Sequence, residues 1–311
     1  MRYLKILFFG LLLAAPVAAP ADADDIPGSA VWYFHVDLKQ MRSGGPGQGV
    51  YGWLQGEAFQ EVKDESGIDI DKELDRLTAF SMQDEGPVFV FEGNISQETK
   101  DKVMTLVASD GNLDPRKSSG KTYYLFEGER KGAGADTDKG NIEIDIESLQ
   151  EEAWVSLALK NKVVITGSEA QMQSMLSNKG KIAGSRSHKG ALLVLTAEKT
   201  LLQAGMNSAA LGDGDSSWDS NILRNTEQVA FMIAAAANKL ALEAQLVTSD
   251  PEMAESLASV VRGLISLVAF SDDMDAETVA MLQGTKVSAK GNTLSLSLAL
   301  DPDLVVRNLS E

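Results

Sequence analysis

Apolar residues in this chain fall into short alternating runs bounded by turn-forming residues, with stretches of helical period between them. Ala30-Val-Trp-Tyr-Phe-His-Val-Asp37 is aromatic and β-branched and predicts a buried strand. Alternation places Trp32, Phe34 and Val36 on one face and Val31, Tyr33 and His35 on the other. A strand pair follows at Leu77 to Met82 and Val88 to Phe91, around the turn Asp84-Glu85-Gly86-Pro87. Ser96 then caps a predicted helix whose apolar positions Val103, Leu106 and Val107 lie on one side. Val155 to Leu159 turns at Lys160-Asn161-Lys162 into Val163 to Gly167, and Ser168-Glu-Ala-Gln171 is a capping-box pattern for a helix over 171–176.

The second half repeats this order of elements. Ala191-Leu-Leu-Val-Leu-Thr-Ala-Glu198 matches the opening strand in length and in its acidic end, and again leads into a helical stretch. Val229 to Ala236 and Leu240 to Leu246 flank Asn238, and Asp250-Pro251 starts a long helix with a capping residue and a proline in the first turn. On that helix Leu257, Val261, Leu264 and Val268 recur at helical spacing and predict a buried stripe; Glu255 and Arg262 within the run make it a core helix, not a membrane span. Lys286 to Ala289 turns at Gly291-Asn292 into Thr293 to Leu300, and Asp301-Pro302 opens a closing helix over 303–309. The expected fold is α+β, a duplicated β-α-β-β-α-β-β-α unit with antiparallel sheets and helices packed on one side. The halves are expected to meet near Gly180 to Lys189 as two lobes, 24–184 and 185–311.

The N-terminus adds an address. Arg2 and Lys5 precede the apolar run Ile6 to Ala15, and Ala21-Asp22-Ala23 is a small-x-small cleavage site, so residues 1–23 read as a signal peptide removed before Asp24. The expected location is the periplasm or the exterior of a bacterium, with no stable membrane span after processing.

Composition narrows the chemistry. The chain has 311 residues, 44% hydrophobic and 23% charged, with 28 basic and 45 acidic groups and a formal net charge of -17. That apolar fraction fills a real core. The acidic balance argues against nucleic acid, whose phosphates demand clustered Lys and Arg. There is no cysteine, which excludes disulfide scaffolds, thiol catalysis and Cys-ligated metals. Two histidines leave little room for a histidine-rich metal site.

Several short patterns resemble functional motifs and depart from them. Ser119-Gly120-Lys121-Thr122 has the end of a phosphate loop, but Pro115 stands where its first glycine belongs and Tyr123-Tyr-Leu-Phe126 continues as a strand, not a helix. Ser118-x-x-Lys121 has the spacing of serine-lysine acyl enzymes without their second hydroxyl motif or K-T-G strand. His35 reads as a satisfied strand residue and His188 as a solvated linker residue. Asp136, Asp138 and Glu147 have the oxygen ligands and overall spacing of a calcium loop, although Gly140-Asn141 reverses the usual order and a strand pattern replaces the exit helix. That strand, Ile142 to Glu147, puts Glu143, Asp145 and Glu147 on one face, a candidate surface for a cation or a basic partner. The carboxylates of Asp64 to Asp75 and of Asp213-x-Asp215 serve solubility on this reading.

The opening strand, the Asn161 hairpin running into Thr166-Gly-Ser-Glu-Ala170, and the C-terminal hairpin with its closing helix together resemble a broad group of exported bacterial proteins of unknown function. The resemblance is one of element pattern over most of the mature chain. It implies an extracytoplasmic, two-lobed α+β protein and carries over no catalytic residue. The function expected from the whole sequence is that of a soluble, non-enzymatic envelope protein acting through protein or ligand binding. The alternatives are a periplasmic carrier of a small apolar ligand or lipid, and a hydrolase lacking a recognisable motif. No cofactor is expected apart from the calcium option.

Overall fold

The computed structural model describes residues 30–82, 85–128, 152–181, 190–199, 225–268 and 276–310. The expected signal peptide and the two acidic candidate sites lie outside the described residues. The fold is mixed α+β, built on one antiparallel twelve-stranded sheet in the order β11-β12-β10-β9-β8-β1-β2-β3-β7-β6-β5-β4. The strands are β1 (Ala30–Asp37), β2 (Arg76–Met82), β3 (Gly86–Glu92), β4 (Gly111–Ser118), β5 (Lys121–Gly128), β6 (Ala153–Ser156) and β7 (Lys162–Thr166), then β8 (Ala191–Glu198), β9 (Thr226–Ala236), β10 (Lys239–Thr248), β11 (Lys286–Lys290) and β12 (Thr293–Leu300). The helices are α1 (Leu38–Arg42), α2 (Gly47–Leu54), α3 (Gln60–Ser66), α4 (Ile70–Glu73), α5 (Gln97–Asp110), α6 (Glu169–Ser177), α7 (Pro251–Val268), α8 (Ala276–Gln283) and α9 (Pro302–Ser310). A π-helical turn, Gln55–Phe59, joins α2 to α3.

Local chemistry explains most boundaries. Asp37 Oδ1 accepts the Gln40 amide at 2.8 Å and caps α1, Ser96 Oγ accepts from Thr99 at the start of α5, and Asp250 Oδ1 accepts from Met253 at the start of α7. Ser168 caps α6 by accepting the Gln171 amide, as its capping-box pattern predicts. Asn161 takes φ +60° at the β6–β7 turn and Gly291 φ +57° at the β11–β12 turn. Ser119 and Gly120, at φ +51° and +73°, are the two central residues of the β4–β5 hairpin, which puts Ser118 directly opposite Lys121. The segment that resembled a phosphate loop is therefore a tight turn into a strand. β4 itself escaped the sequence pattern because Gly-Asn-Leu-Asp-Pro-Arg-Lys-Ser is polar and carries a proline, a composition suited to the outer edge it occupies.

The order β1-β2-β3-β7-β6 in one half is matched by β8-β9-β10-β12-β11 in the other. The shared order covers five strands, and β4 and β5 have no counterpart among the described strands. The two halves meet where β1 pairs with β8, with Phe34 opposite Leu195. Directly paired residues project to the same side, so the registers assign each core to a face. Tyr33, Phe80, Val88, Val90, Val164 and Trp154 project to one side and are closed by Met172, Met175 and Leu176 of α6. Leu240, Leu242, Leu298 and Leu300 project to the other side with Leu38 and Met41 of α1 and Tyr51 of α2. Helices thus pack on one side of each half of the sheet.

One helix follows its sequence pattern only in part, with Leu257 and Val261 half-buried. On α7 the fully buried residues are Ala254 and Ala258, while Leu264 is 49% exposed, Val260 56% and Leu267 69%. The buried face therefore runs through the alanines, and Leu264 turns outward.

Register is further held by a cross-strand row of alternating charge, Lys162–Glu92–Arg76–Asp37, in which each member pairs directly with the next. Arg76 Nε donates to Asp37 at 2.9 Å, and Lys162 bridges Glu92. Asp37 thus caps α1 and anchors this row. Replacing Asp37 with Ala should lower unfolding free energy by about 1–2 kcal/mol, the combined scale of a lost cap and a part-exposed ion pair. Urea titration should show a lower midpoint with an unchanged slope.

Candidate functional site

The side of the central strands opposite the first core is also apolar. Following the registers across the sheet gives one row with a residue from every strand: Pro115, Tyr124, Val155, Ile165, Phe89, Ala79, Phe34, Leu195, Phe231, Ala244, Leu296 and Val287. None is charged. Phe231, Ala244 and Leu296 pack against the second core. Towards the middle of the sheet Ile165, Phe89 and Phe34 are only half-buried, and Leu195 is 36% exposed. Trp32 and Phe91 lie on the same face beside the row and are likewise half-buried. Large apolar side chains on both faces of a strand normally mean that both faces are covered. Here the second face remains in part open.

The relief of this face follows from residue size. On β2 the residues facing this way are Leu77, Ala79 and Ser81, between Trp32 and Phe34 of β1 and Phe89 and Phe91 of β3. The Trp32 and Phe89 rings approach across β2 to 6.4 Å between centroids, tilted by 55°. Ala79 is buried beneath this aromatic pair. The aromatic side chains of β1 and β3 thus close over the small residues of β2.

Two polar clusters stand elsewhere. Glu169, the first residue of α6, accepts from the Tyr123 hydroxyl at 2.6 Å and from Arg116 at 3.3 Å, and the Arg116 guanidinium lies 5.0 Å from the Trp154 ring centre. The Tyr123 hydrogen bond, helped by Arg116, holds the Glu169 carboxyl below the usual carboxylate range. Around α2, Tyr51 donates to Asp71, Arg42 pairs with Asp75 at 2.5 Å and stacks 5.6 Å from the Tyr51 ring centre. Burial, followed by the hydrogen bond to Asp71, pushes the Tyr51 phenol up to about 12. The first cluster ties α6 to β4 and β5, and the second ties α1, α2 and α4 together.

The sequence-stated candidates distribute as follows. Asp136, Asp138 and Glu147 for calcium, and Glu143, Asp145 and Glu147 for a partner, lie outside the described residues, as does His188. His35 is buried with its Nδ1 2.9 Å from Thr78 Oγ1, a satisfied strand residue. Within Asp64 to Asp75 the carboxylates have structural partners: Asp69 bridges Lys63 at 3.0 Å and Lys72 at 3.2 Å. Among the described residues no cluster of three or more metal-ligating side chains forms, and no helix is long and apolar enough to cross a membrane. The apolar row was missed as a site. Its signal was present in β1, apolar at both odd and even positions, but only the registers join β1 to its neighbours.

Neither a family model nor a curated protein matches the chain. Solved structures similar to it include three crystal forms of TP0453. Form IV has a TM-score of 0.46 at 11% identity, covering 91% of this chain and 93% of its own. Form III has 0.44 at 10%, covering 95% and 100%, and form I has 0.40 at 11%, covering 94% and 98%.

The two tyrosines give a direct test of the clusters. Burial and then the Glu169 hydrogen bond also raise Tyr123. A raised phenol contributes stability that is complete below about pH 10, where an unfolded tyrosine ionises, and is lost as pH climbs through the folded value. Absorbance titration should show a step near 12 that is absent in Tyr51→Phe, and a second late step that is absent in Tyr123→Phe. Glu169 has the opposite sign: its contribution is present above about pH 4.3 and lost as pH falls, so Glu169→Gln should flatten the acid limb of stability against pH.

Proposed function

We propose that the protein is an exported, non-enzymatic envelope protein that works by binding, and that its binding surface is the open apolar face of β8-β1-β2-β3-β7. The observation behind this reading is the uncharged row from Ile165 to Leu195, continuous with the floor of the second core yet partly in contact with water. Contiguous apolar surface of this kind is costly to keep and marks interaction sites. Location rests on the basic start, apolar run and small-residue site within residues 1–23. The high acidic charge suits a protein that stays dispersed while offering one apolar surface. Glu169, Tyr123, Tyr51 and Asp71 are engaged in the fold itself, which leaves the polar clusters to a structural role.

A neutral naphthylamine dye that fluoresces in apolar surroundings tests the reading. Leu195 is 36% exposed, so Leu195→Ser should cost about 1–2 kcal/mol of stability. It should weaken dye binding several-fold, whereas Leu267→Ser on α7 should leave it unchanged. The reverse pattern would move the binding surface to the helix and refute the sheet-face reading.

A further inference from the structure

We infer that β11 is a docking edge for the acidic stretch Ile142 to Glu147 of a second copy of this chain, which adds to the sheet as one more strand. The two ends of the sheet differ as edges. β4 is interrupted by Pro115, which has no amide to donate, whereas β11, Lys-Val-Ser-Ala-Lys, has no proline. Its two-residue turn at Gly291-Asn292 makes Lys290 and Thr293 exchange both backbone bonds, so Val287 and Ala289 direct their amides and carbonyls away from β12. Arg262 of α7 agrees with that direction, donating from Nη2 to the Val287 carbonyl at 3.4 Å. Lys286, Ser288 and Lys290 are exposed on one face, and Val287 and Ala289 are half-buried on the other. Among the described residues neither lysine has an acidic partner.

Pattern and charge choose the occupant. Ile142-Glu-Ile-Asp-Ile-Glu147 alternates with the same period as β11, acidic where β11 is basic or polar and apolar where β11 is apolar. Antiparallel pairing sets Glu147 against Lys286, Asp145 against Ser288 and Glu143 against Lys290, with Ile146 on Val287 and Ile144 on Ala289. That register joins opposite charges at both ends. Chain length requires that the stretch come from another copy. The six residues from Glu147 to Ala153, where β6 begins, span at most about 22 Å, while β6 lies nine strands from β11, about 43 Å away at the usual strand spacing. Each copy offers one edge and one stretch, so the contact is head-to-tail and a third copy can follow the second. The net charge of -17 on each copy opposes their approach and keeps the contact weak. Near physiological salt, with a Debye length of about 8 Å, that long-range repulsion is screened more than the pairs in contact.

Sedimentation velocity of the full chain near physiological salt tests this. The weight-average sedimentation coefficient should rise with protein concentration. Lys286→Glu with Lys290→Glu should weaken association by about tenfold or more, and so should Glu143→Lys with Glu147→Lys, in preparations whose circular dichroism matches the parent. Mixing the two double variants should restore association, because each supplies the charge that the other lacks, and a chain carrying all four changes should associate by itself. Leu195→Ser should leave association unchanged, which separates this contact from the apolar face. Position is read by mixing Ser288→Cys with Asp145→Cys under mild oxidation. Directly paired in this register, with Cα atoms about 4.5 Å apart, the two chains should form a mixed disulfide faster than either chain bridges to itself. A parent chain that stays monomeric at every concentration overturns the inference, as does association that survives either charge reversal or that Leu195→Ser abolishes. A mixture of double variants that associates no better than either alone, or mixed bridging no faster than self-bridging, overturns it as well.

Discussion

The antiparallel pairing of β1 with β8 is the constraint on which the rest of the molecule depends. These strands lie more than 150 residues apart in the chain, and their register places Phe34 on Leu195 and His35 on Val194. A one-residue slip would exchange the faces of an entire half. It would turn Tyr33 out of the first core and carry Val36, which packs on the second, to the opposite side. Both cores lean on this seam, one from each side, so each core holds the register that the other requires.

The same seam accounts for the open face. Because the first core uses one side of the sheet and the second core the other, the central strands must be apolar on both sides where the cores hand over. β1 shows this most plainly: Tyr33 and His35 are buried on one side, while Trp32 and Phe34 are half-buried on the other. The second half solves its own second face differently. There the row through Val194 and Met232 passes into Glu243, Ser297 and Lys286, polar residues of which Ser297 is fully buried. In the first half the side opposite its core carries Trp32, Phe34, Phe89 and Phe91. The functional reading follows from that asymmetry.

Much of the fold was legible in the sequence because local rules agree with the global structure. Ser96, Ser168 and Asp250 cap helices where their positions predict, and Asn161 turns a hairpin as the sequence places it. β4 was not legible, since an edge strand is selected for polarity and proline and not for apolar alternation. The buried face of α7 was legible only in part, since Leu257 and Val261 are half-buried as read but Ala254 and Ala258, neutral beside Leu264, are the residues fully inside. The candidate site was legible only in pieces. Trp32, Phe34, Phe89 and Leu195 each stand in a readable strand, but their union needs the order of strands and the registers, which no local pattern encodes.

The central claim is the register at the seam, and thiol cross-linking measures it most directly. The chain has no cysteine, so any bond formed under mild oxidation must come from introduced residues. Phe34→Cys combined with Leu195→Cys places two thiols on one face in directly paired positions, whose Cβ atoms stand about 4.5–5.5 Å apart; His35→Cys combined with Leu195→Cys places them on opposite faces. The account predicts rapid, near-complete bridging of the first pair and little of the second. Equal bridging of both, or bridging of the second alone, would contradict the register and with it the continuous apolar row.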